Sequence, residues 1–463
     1  MKEYTERLGY APLGRLLLRL SLPGIASTVT ASLYNVVDTF WVARLGHEAI
    51  AALTIVFPYQ ILFIAVAVGT GIGITSLVSR RFGEKNLEAT DHIAGQIFFL
   101  SAGLGLIFLI AAVLFSERIL VAFGATPDIM EYADQYLVII SYGAPMIIFA
   151  MVTSQLVRGS GDAVKPMIIM ISASVLNIIL DPLMILGIGP FPEMGIRGAA
   201  WATVIAQSLG AALALFYLLA HRTAFKIKLK HLTPDLSVLR DIYRVGAPSM
   251  ILELTESFAF VLFNVVVSSF GSVAIAAVGL VIRIADLAFM PIIGVSNGLL
   301  PIVGYNFGAR LFKRLWKAPL LASLGITALL VVATLVIEIL APQIIGIFSQ
   351  DPELMETTIP AIRILLSTLV FIGPTIMFIT VFQGLGRGAM ALVLSLVRQF
   401  LLFIPLLYLF RHIFGLYGVW WSLPASDVLS FTVTFLIIYR EYRKHKRAGY
   451  LAEISAEAGV PAE

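Results

Sequence analysis

Two aspartates, Asp38 and Asp181, stand inside apolar stretches where an ionisable side chain is conspicuous. A charged group in hydrocarbon costs a few kcal/mol on insertion scales, so such a residue is a functional candidate by default. Each has a polar companion one helical turn away: Tyr34 with Asp38, and Asn177 with Asp181. Thr203 adds a hydroxyl from a third apolar stretch. Two carboxylates in a low-dielectric pocket should not both be ionised without a cation, and they titrate as a unit. Such a cluster suits a bound proton, or a hard cation such as Na⁺ that takes oxygen ligands. Pro182 follows Asp181 and removes a backbone donor where that acid sits. A second set lies in the other half of the chain: Glu253, Glu256, Arg283, Asp286, Arg363, Arg398 and Asp427. Opposite charges are available there, and internal pairing, Arg283 with Asp286 included, is the simpler expectation. Glu256 keeps a candidate role in coupling or substrate binding, with Glu253 beside it at i, i+3.

The elements that must hold these residues are membrane helices. Apolar residues make up 59% of the 463 and charged residues only 13%, against near a quarter charged in an ordinary soluble domain. Mean hydropathy is +0.94. Twelve spans are expected, at roughly 16–43, 48–79, 93–115, 134–157, 164–188, 196–220, 242–270, 273–305, 318–341, 358–383, 389–411 and 416–439, each meeting the ~20 residues needed to cross the hydrocarbon and several longer. The first is too long for a signal h-region and reads as a retained helix. Twelve spans put both termini on one side. The loops on that side carry most of the 32 Lys and Arg, Arg158 and Lys165 among them, whereas the opposite loops carry only Arg44, Arg118, Arg197 and Arg411. The asymmetry places both termini in the cytoplasm, in the inner membrane of a prokaryote. Basic residues scattered in short loops are a topology signal, not a nucleic-acid surface. With no cysteine, thiol catalysis and Cys-ligated metal are excluded. No hydrolase triad, P-loop or Rossmann fingerprint appears, so neither an enzyme nor an ATP-driven pump is expected.

The chain repeats itself at an offset of 225. Pro23 falls on Pro248, Gly46 on Gly271, Ala49–Ala52 on Ala274–Ala277, Phe82-Gly83 on Phe307-Gly308, and Gly159 and Gly161 on Gly384 and Gly386. Near the end the offset drifts, so that Gly195 and Gly198 meet Gly415 and Gly418. Six spans per half give both halves the same orientation, with a cavity between them. The organisation expected is an N-lobe at 1–220, a connector at 221–240, a C-lobe at 241–447 and a disordered tail at 448–463. Gly69/Gly73 and Gly294/Gly298 are small-xxx-small pairs suited to close helix packing. Asp38 and Tyr34 align with Phe263 and Ala259, and Asn177 and Asp181 with Phe400 and Ile404. The scaffold therefore does not need these acids in order to fold, and one lobe holds chemistry that the other lacks.

Several segments together resemble the multidrug and toxic compound extrusion (MATE) family. They are LSLPGI at 20–25, YNVVDTFWVARLG at 34–46, NIILDP at 177–182, GAAWAT at 198–203, and the repeated R/Q-G-x-G at 158–161 and 383–386. The resemblance covers nearly the whole chain. It implies a V-shaped pair of six-helix lobes and secondary active export of lipophilic or cationic compounds in exchange for H⁺ or Na⁺. The acids of the N-lobe are similar to those of the DinF-like and archaeal branch. By that likeness Asp38 and Asp181 carry the proton, with Tyr34, Asn177 and Thr203 around them, and the helix beginning near Pro23 rearranges. Asp38, Asn177, Asp181 and Thr203 also match a sodium site of that branch. Glu256 matches a C-lobe acid of the NorM-like branch, whose span-10 acid is missing here. The resemblance implies no cofactor beyond the coupling ion, small-molecule substrates and the bilayer as partners, and nothing that demands more than a monomer. The alternative is a flippase for a lipid-linked oligosaccharide or other amphiphilic lipid.

Overall fold

The computed structural model describes residues 7–220 and 223–457, which are helical almost throughout. In chain order the N-lobe comprises α1 (Leu13–Ala43), α2 (His47–Gly83), α3 (Leu87–Ala122), α4 (Met130–Tyr142), α5 (Ala144–Gly159), α6 (Val164–Ile185) and α7 (Ile196–Leu219). The C-lobe comprises α8 (Leu236–Ser268), α9 (Ser272–Gly308), α10 (Phe312–Phe348), α11 (Pro352–Leu366), α12 (Leu369–Gly384), α13 (Gly388–Leu396), a π-helical turn at Val397–Phe403, and α14 (Ile404–Glu457). Twelve spans result once two kinds of join are recognised. α4 with α5, and α11 with α12, are single spans bent by 50° and 42°. The continuous stretch of α13, the π-helical turn and α14 contains two spans joined at Gly415, whose φ of 61° belongs to the left-handed region. The spans expected at 134–157 and 358–383 are these two bent pairs. Pro145 lies within the first turn of α5 and lacks the N–H that would continue the ladder from α4.

The repeat extends to the backbone. His47–Gly83 and Ser272–Gly308 begin and end 225 residues apart, as do Ala144–Gly159 and Leu369–Gly384. Positive φ recurs at the same offset at Lys85 (59°) and Arg310 (57°), and at Gly195 (55°) and Gly415 (61°) in the drifted register. At 37 residues, α2 and α9 are each about 55 Å long, well beyond the ~30 Å of hydrocarbon, so both project past it.

Glycines set where the lobes meet. A Cβ on Gly73 would strike the Ile242 carbonyl of α8, and one on Gly298 would lie 3.0 Å from the Ser21 nitrogen of α1. Gly83 and Gly308 press against the backbones of Tyr305 and Arg80. Ser76 Oγ donates to the Gln383 carbonyl at 2.5 Å across the same seam. All these contacts lie in the halves of α1, α2, α8 and α9 nearest the chain termini. Toward the other side the lobes part around a cavity.

The connector is docked. Gln96 Nε2 on α3 donates to the carbonyls of His231 (3.0 Å) and Thr233 (2.8 Å), and its Oε1 accepts from the Asp235 nitrogen (3.0 Å). Asp235 then caps α8 by accepting from the Ser237 nitrogen at 2.8 Å. Hydrogen bonds from the Ser237 hydroxyl and nitrogen hold the Asp235 carboxyl down at about 2, against the burial that would raise it. At the far end, α14 continues to Glu457, into the segment 448–463 expected as a disordered tail; residues 458–463, like Lys2 and Arg222, lie outside the described residues.

Candidate functional site: an acid cluster in the N-lobe wall of a central cavity

A cavity of about 1020 Å³ lies between the lobes. Its N-lobe wall includes Tyr34, Asp38 and Thr203, and its C-lobe wall includes Glu253, Glu256 and Arg398. Packing of α6 against α7 brings three of the expected residues together. Asn177 Nδ2 donates to Asp181 Oδ1 at 3.1 Å and to Thr203 Oγ1 at 3.3 Å. Asp181 is fully buried, Asn177 nearly so, and Asp38 is 8% exposed on the α1 side of the cluster. Asp38 makes no hydrogen bond to the others but lies within electrostatic reach of Asp181 and Tyr34.

Three oxygens of this cluster have no hydrogen-bond partner: Asp38 Oδ1, Asn177 Oδ1 and Asp181 Oδ2. A buried polar atom without a partner costs about 1–3 kcal/mol, more when charged. Acceptors gathered without donors are a set that a proton or a small hard cation completes, and with Thr203 Oγ1 the residues present fit Na⁺. Among the described residues no cluster of three or more His, Cys, Asp or Glu suits a more strongly held metal.

α1 reaches this cluster through a segment suited to bending. Ser27, Thr28 and Thr30 each donate to the carbonyl four residues back, those of Pro23, Gly24 and Ala26. Such back-bonding weakens and bends helices, and Pro23 has already removed one ladder bond. Pro23 itself is not part of the cavity lining; it lies one turn toward the seam from Ser27, which is.

Sequence reasoning missed Tyr136. It comes from α4, is buried, lines the cavity, and lies within electrostatic reach of Asp38, Asp181 and Tyr34. Nothing in the sequence separates it from the other tyrosines of an apolar helix. In the C-lobe the repeat mates of the acids are occupied by packing. Phe263, opposite Asp38, meets Phe403 at 6.1 Å and Trp420 at 6.3 Å between ring centroids.

The C-lobe charges divide into two groups. Arg398, carried on the π-helical turn, binds Asp427 at 3.0 Å, and Thr368 Oγ1 approaches the second oxygen of Asp427 at 3.2 Å. Glu253 and Glu256 face the cavity, with Glu256 in electrostatic reach of Arg398. The expected Arg283–Asp286 pair is not formed: both residues are exposed on α9, and among the described residues no ion pair joins them. Arg363 instead pairs with Glu338 at 3.7 Å. Removing one partner of a buried pair leaves a charge uncompensated, so Arg398→Met is expected to destabilise the protein by ~3–5 kcal/mol. Thermal unfolding in detergent measures this, and adding Asp427→Leu should recover most of the loss; an unchanged Tm in the single variant would show the pair contributes nothing.

Comparison with known proteins agrees with this architecture. The MatE family model matches residues 23–183 and 248–409, one copy in each lobe. The chain is 30% identical to the FAD transporter of Shewanella oneidensis, covering 90% of this chain and 93% of that protein. It is 25% identical to the multidrug export protein MepA of Staphylococcus aureus, covering 94% and 96%. A multidrug resistance MATE family transporter of the MOP superfamily, solved in an outward-facing conformation, superposes with a TM-score of 0.89 at 30% identity, over 95% of this chain and 98% of that one. With both halves of the chain matched by the family model, and the two-lobe fold and cavity in place, the chain belongs to the MatE family and is a membrane transporter, not an enzyme.

Proposed function

We propose that this protein is a secondary active multidrug efflux antiporter that exchanges lipophilic or cationic compounds for H⁺ or Na⁺ at the N-lobe acids. The observation that carries the reading is the partnerless oxygen set of Asp38, Asn177 and Asp181, which meets the cavity wall at Asp38 and, through Asn177, at Thr203. The multidrug export relative supports small-molecule cargo over a lipid-linked oligosaccharide. The basic loops put the termini and the glycine seam at the cytoplasm, in the inner membrane, so the cavity faces outward. In that state Asp38 and Asp181 take up the coupling ion, α1 bends in the stretch after Pro23, and the bound compound loses part of its wall and leaves. The lobes then rock about the seam, the ion departs inward and a new compound enters. The protein acts as a monomer, with no cofactor beyond the coupling ion.

Ethidium efflux from proteoliposomes tests this. With ΔpH alone or a Na⁺ gradient alone, at least one gradient is expected to drive efflux, and which one does so identifies the ion. Efflux indifferent to both gradients would overturn the antiport reading.

A further inference from the structure

Arg158 occupies an unusual place. Its position in R-G-x-G, at the end of the fourth span, reads in sequence as a loop cation that orients the protein. In the structure it stands in the last turn of α5 and lines the cavity. Its Nε is buried without a hydrogen-bond partner, and among the described residues no ion pair or hydrogen bond to its guanidinium is formed. The residue as a whole is half-buried at the cavity wall, and a guanidinium partly withdrawn from water is normally paired, since the charge is costly to leave uncompensated.

The repeat supplies a control within the same molecule. The C-lobe mate of Arg158, 225 residues on, is Gln383. Gln383 is neutral, also lines the cavity, and is satisfied: its Nε2 donates to Ser249 Oγ at 3.2 Å. The backbone around both residues is alike, with Gly161 and Gly386 both at positive φ (87° and 77°). The turn therefore folds with a neutral amide, and the positive charge at 158 is not a requirement of the scaffold. On the N-lobe side the cavity wall also carries Ser154, Gln155, Ser174 and Gln207, which are hydrogen-bonding but uncharged. No carboxylate of the N-lobe pairs with it.

We propose that Arg158 is a substrate-binding residue that receives an anionic group, a carboxylate or phosphate, on an amphiphilic compound. The planar guanidinium offers a two-point fork to such a group. The cavity thus bears acids at Asp38, Glu253 and Glu256 and a cation at Arg158, and its cargo class includes compounds carrying both signs of charge beside an apolar body. This rests on the reading of the cavity as the transport site.

A matched pair of dyes tests it: rhodamine B, with a free carboxylate, and its ethyl ester, which lacks the negative charge. Binding to the purified protein in nanodiscs is followed by fluorescence polarisation, for wild type, Arg158→Gln and Arg158→Lys. The ratio of acid to ester affinity is expected to fall at least tenfold in Arg158→Gln, which copies the repeat mate, and to recover in part in Arg158→Lys. A ratio that stays within twofold in Arg158→Gln, or a wild type that binds the ester but not the acid, overturns the assignment. Loss of both dyes together with loss of the monodisperse gel-filtration peak would mark a folding defect; the milder Arg158→Lys then decides, by the same ratio criterion. Ethidium has no anionic group, so its gradient-driven efflux reports on the antiport reading alone, and the two proposals fail separately.

Discussion

Asp181→Asn and Asp38→Asn are each expected to collapse gradient-driven accumulation of ethidium. One pH unit, or a tenfold Na⁺ gradient, supplies about 1.4 kcal/mol per ion exchanged for one monovalent cation, enough to sustain a roughly tenfold ethidium ratio. Without a titrating or ion-coordinating carboxylate the gradient has nothing to act on, and the ratio should return to about one. Asp181 has the sharper expectation. It is fully buried, accepts from Asn177 through one oxygen, and holds the other without a partner. An asparagine fills the same volume but brings an amide donor into a set of acceptors. Asp38, 8% exposed, stands where α1 meets the cluster. Fluorescence dequenching in proteoliposomes reads the ratio, and thermal unfolding confirms that each variant is folded. Efflux that survives in both variants would sink the N-lobe assignment and move attention to Glu253 and Glu256 on the opposite wall.

The second large effect is expected at the seam. In Gly308→Val, the added side chain must displace the Arg80 backbone, since even a Cβ would lie 3.1 Å from the Arg80 Cα and closer still to its carbonyl oxygen. The reciprocal position is as tight, since a Cβ on Gly83 would lie 2.7 Å from the Ala309 nitrogen, which leaves no slack on the other helix. Overpacking a well-packed contact costs ~1–3 kcal/mol, which shifts a two-state balance by roughly one to two orders of magnitude. If the lobes rock about this seam, that shift favours the arrangement in which it is parted. The absence of native cysteine makes the test direct. Spin labels at Leu87→Cys and Lys317→Cys, at the terminus-side ends of α3 and α10, should report a longer and broader distance in Gly308→Val. An unchanged distance with a lowered Tm would mean that the seam is a fixed hinge-less joint and that access alternates by some other motion.

Much of this machinery was legible in the sequence because its physics is local or periodic. An aspartate in an apolar run announces itself by its insertion penalty, and Asp38 and Asp181 needed no structure to be noticed. The repeat follows from register, and Gly46 with Gly271, or Gly195 with Gly415, shows that matched repeat positions adopt similar backbone angles. The comparison of each acid with its mate was already informative, and Phe263 packed among Phe403 and Trp420 is its physical counterpart.

Other features depend on which helix lies against which, and no linear pattern encodes that. Arg283 and Asp286 have pairing distance along one helix, yet both point outward and stay apart, while Arg398 finds Asp427 on a different span. Tyr136 joins the acids only because α4 is bent into α5 and leans on the pocket. Arg158 reads as a topology charge from its position near a span end, and only the parting of the lobes places it on the cavity wall. The sequence by itself determined the solvent, the number of spans, the duplication and the two acids, because composition, hydrophobic run length and insertion cost act residue by residue. The tertiary structure decided which oxygens lack partners, which charges neutralise one another and which side the cavity opens on, because those depend on contacts between helices distant in sequence.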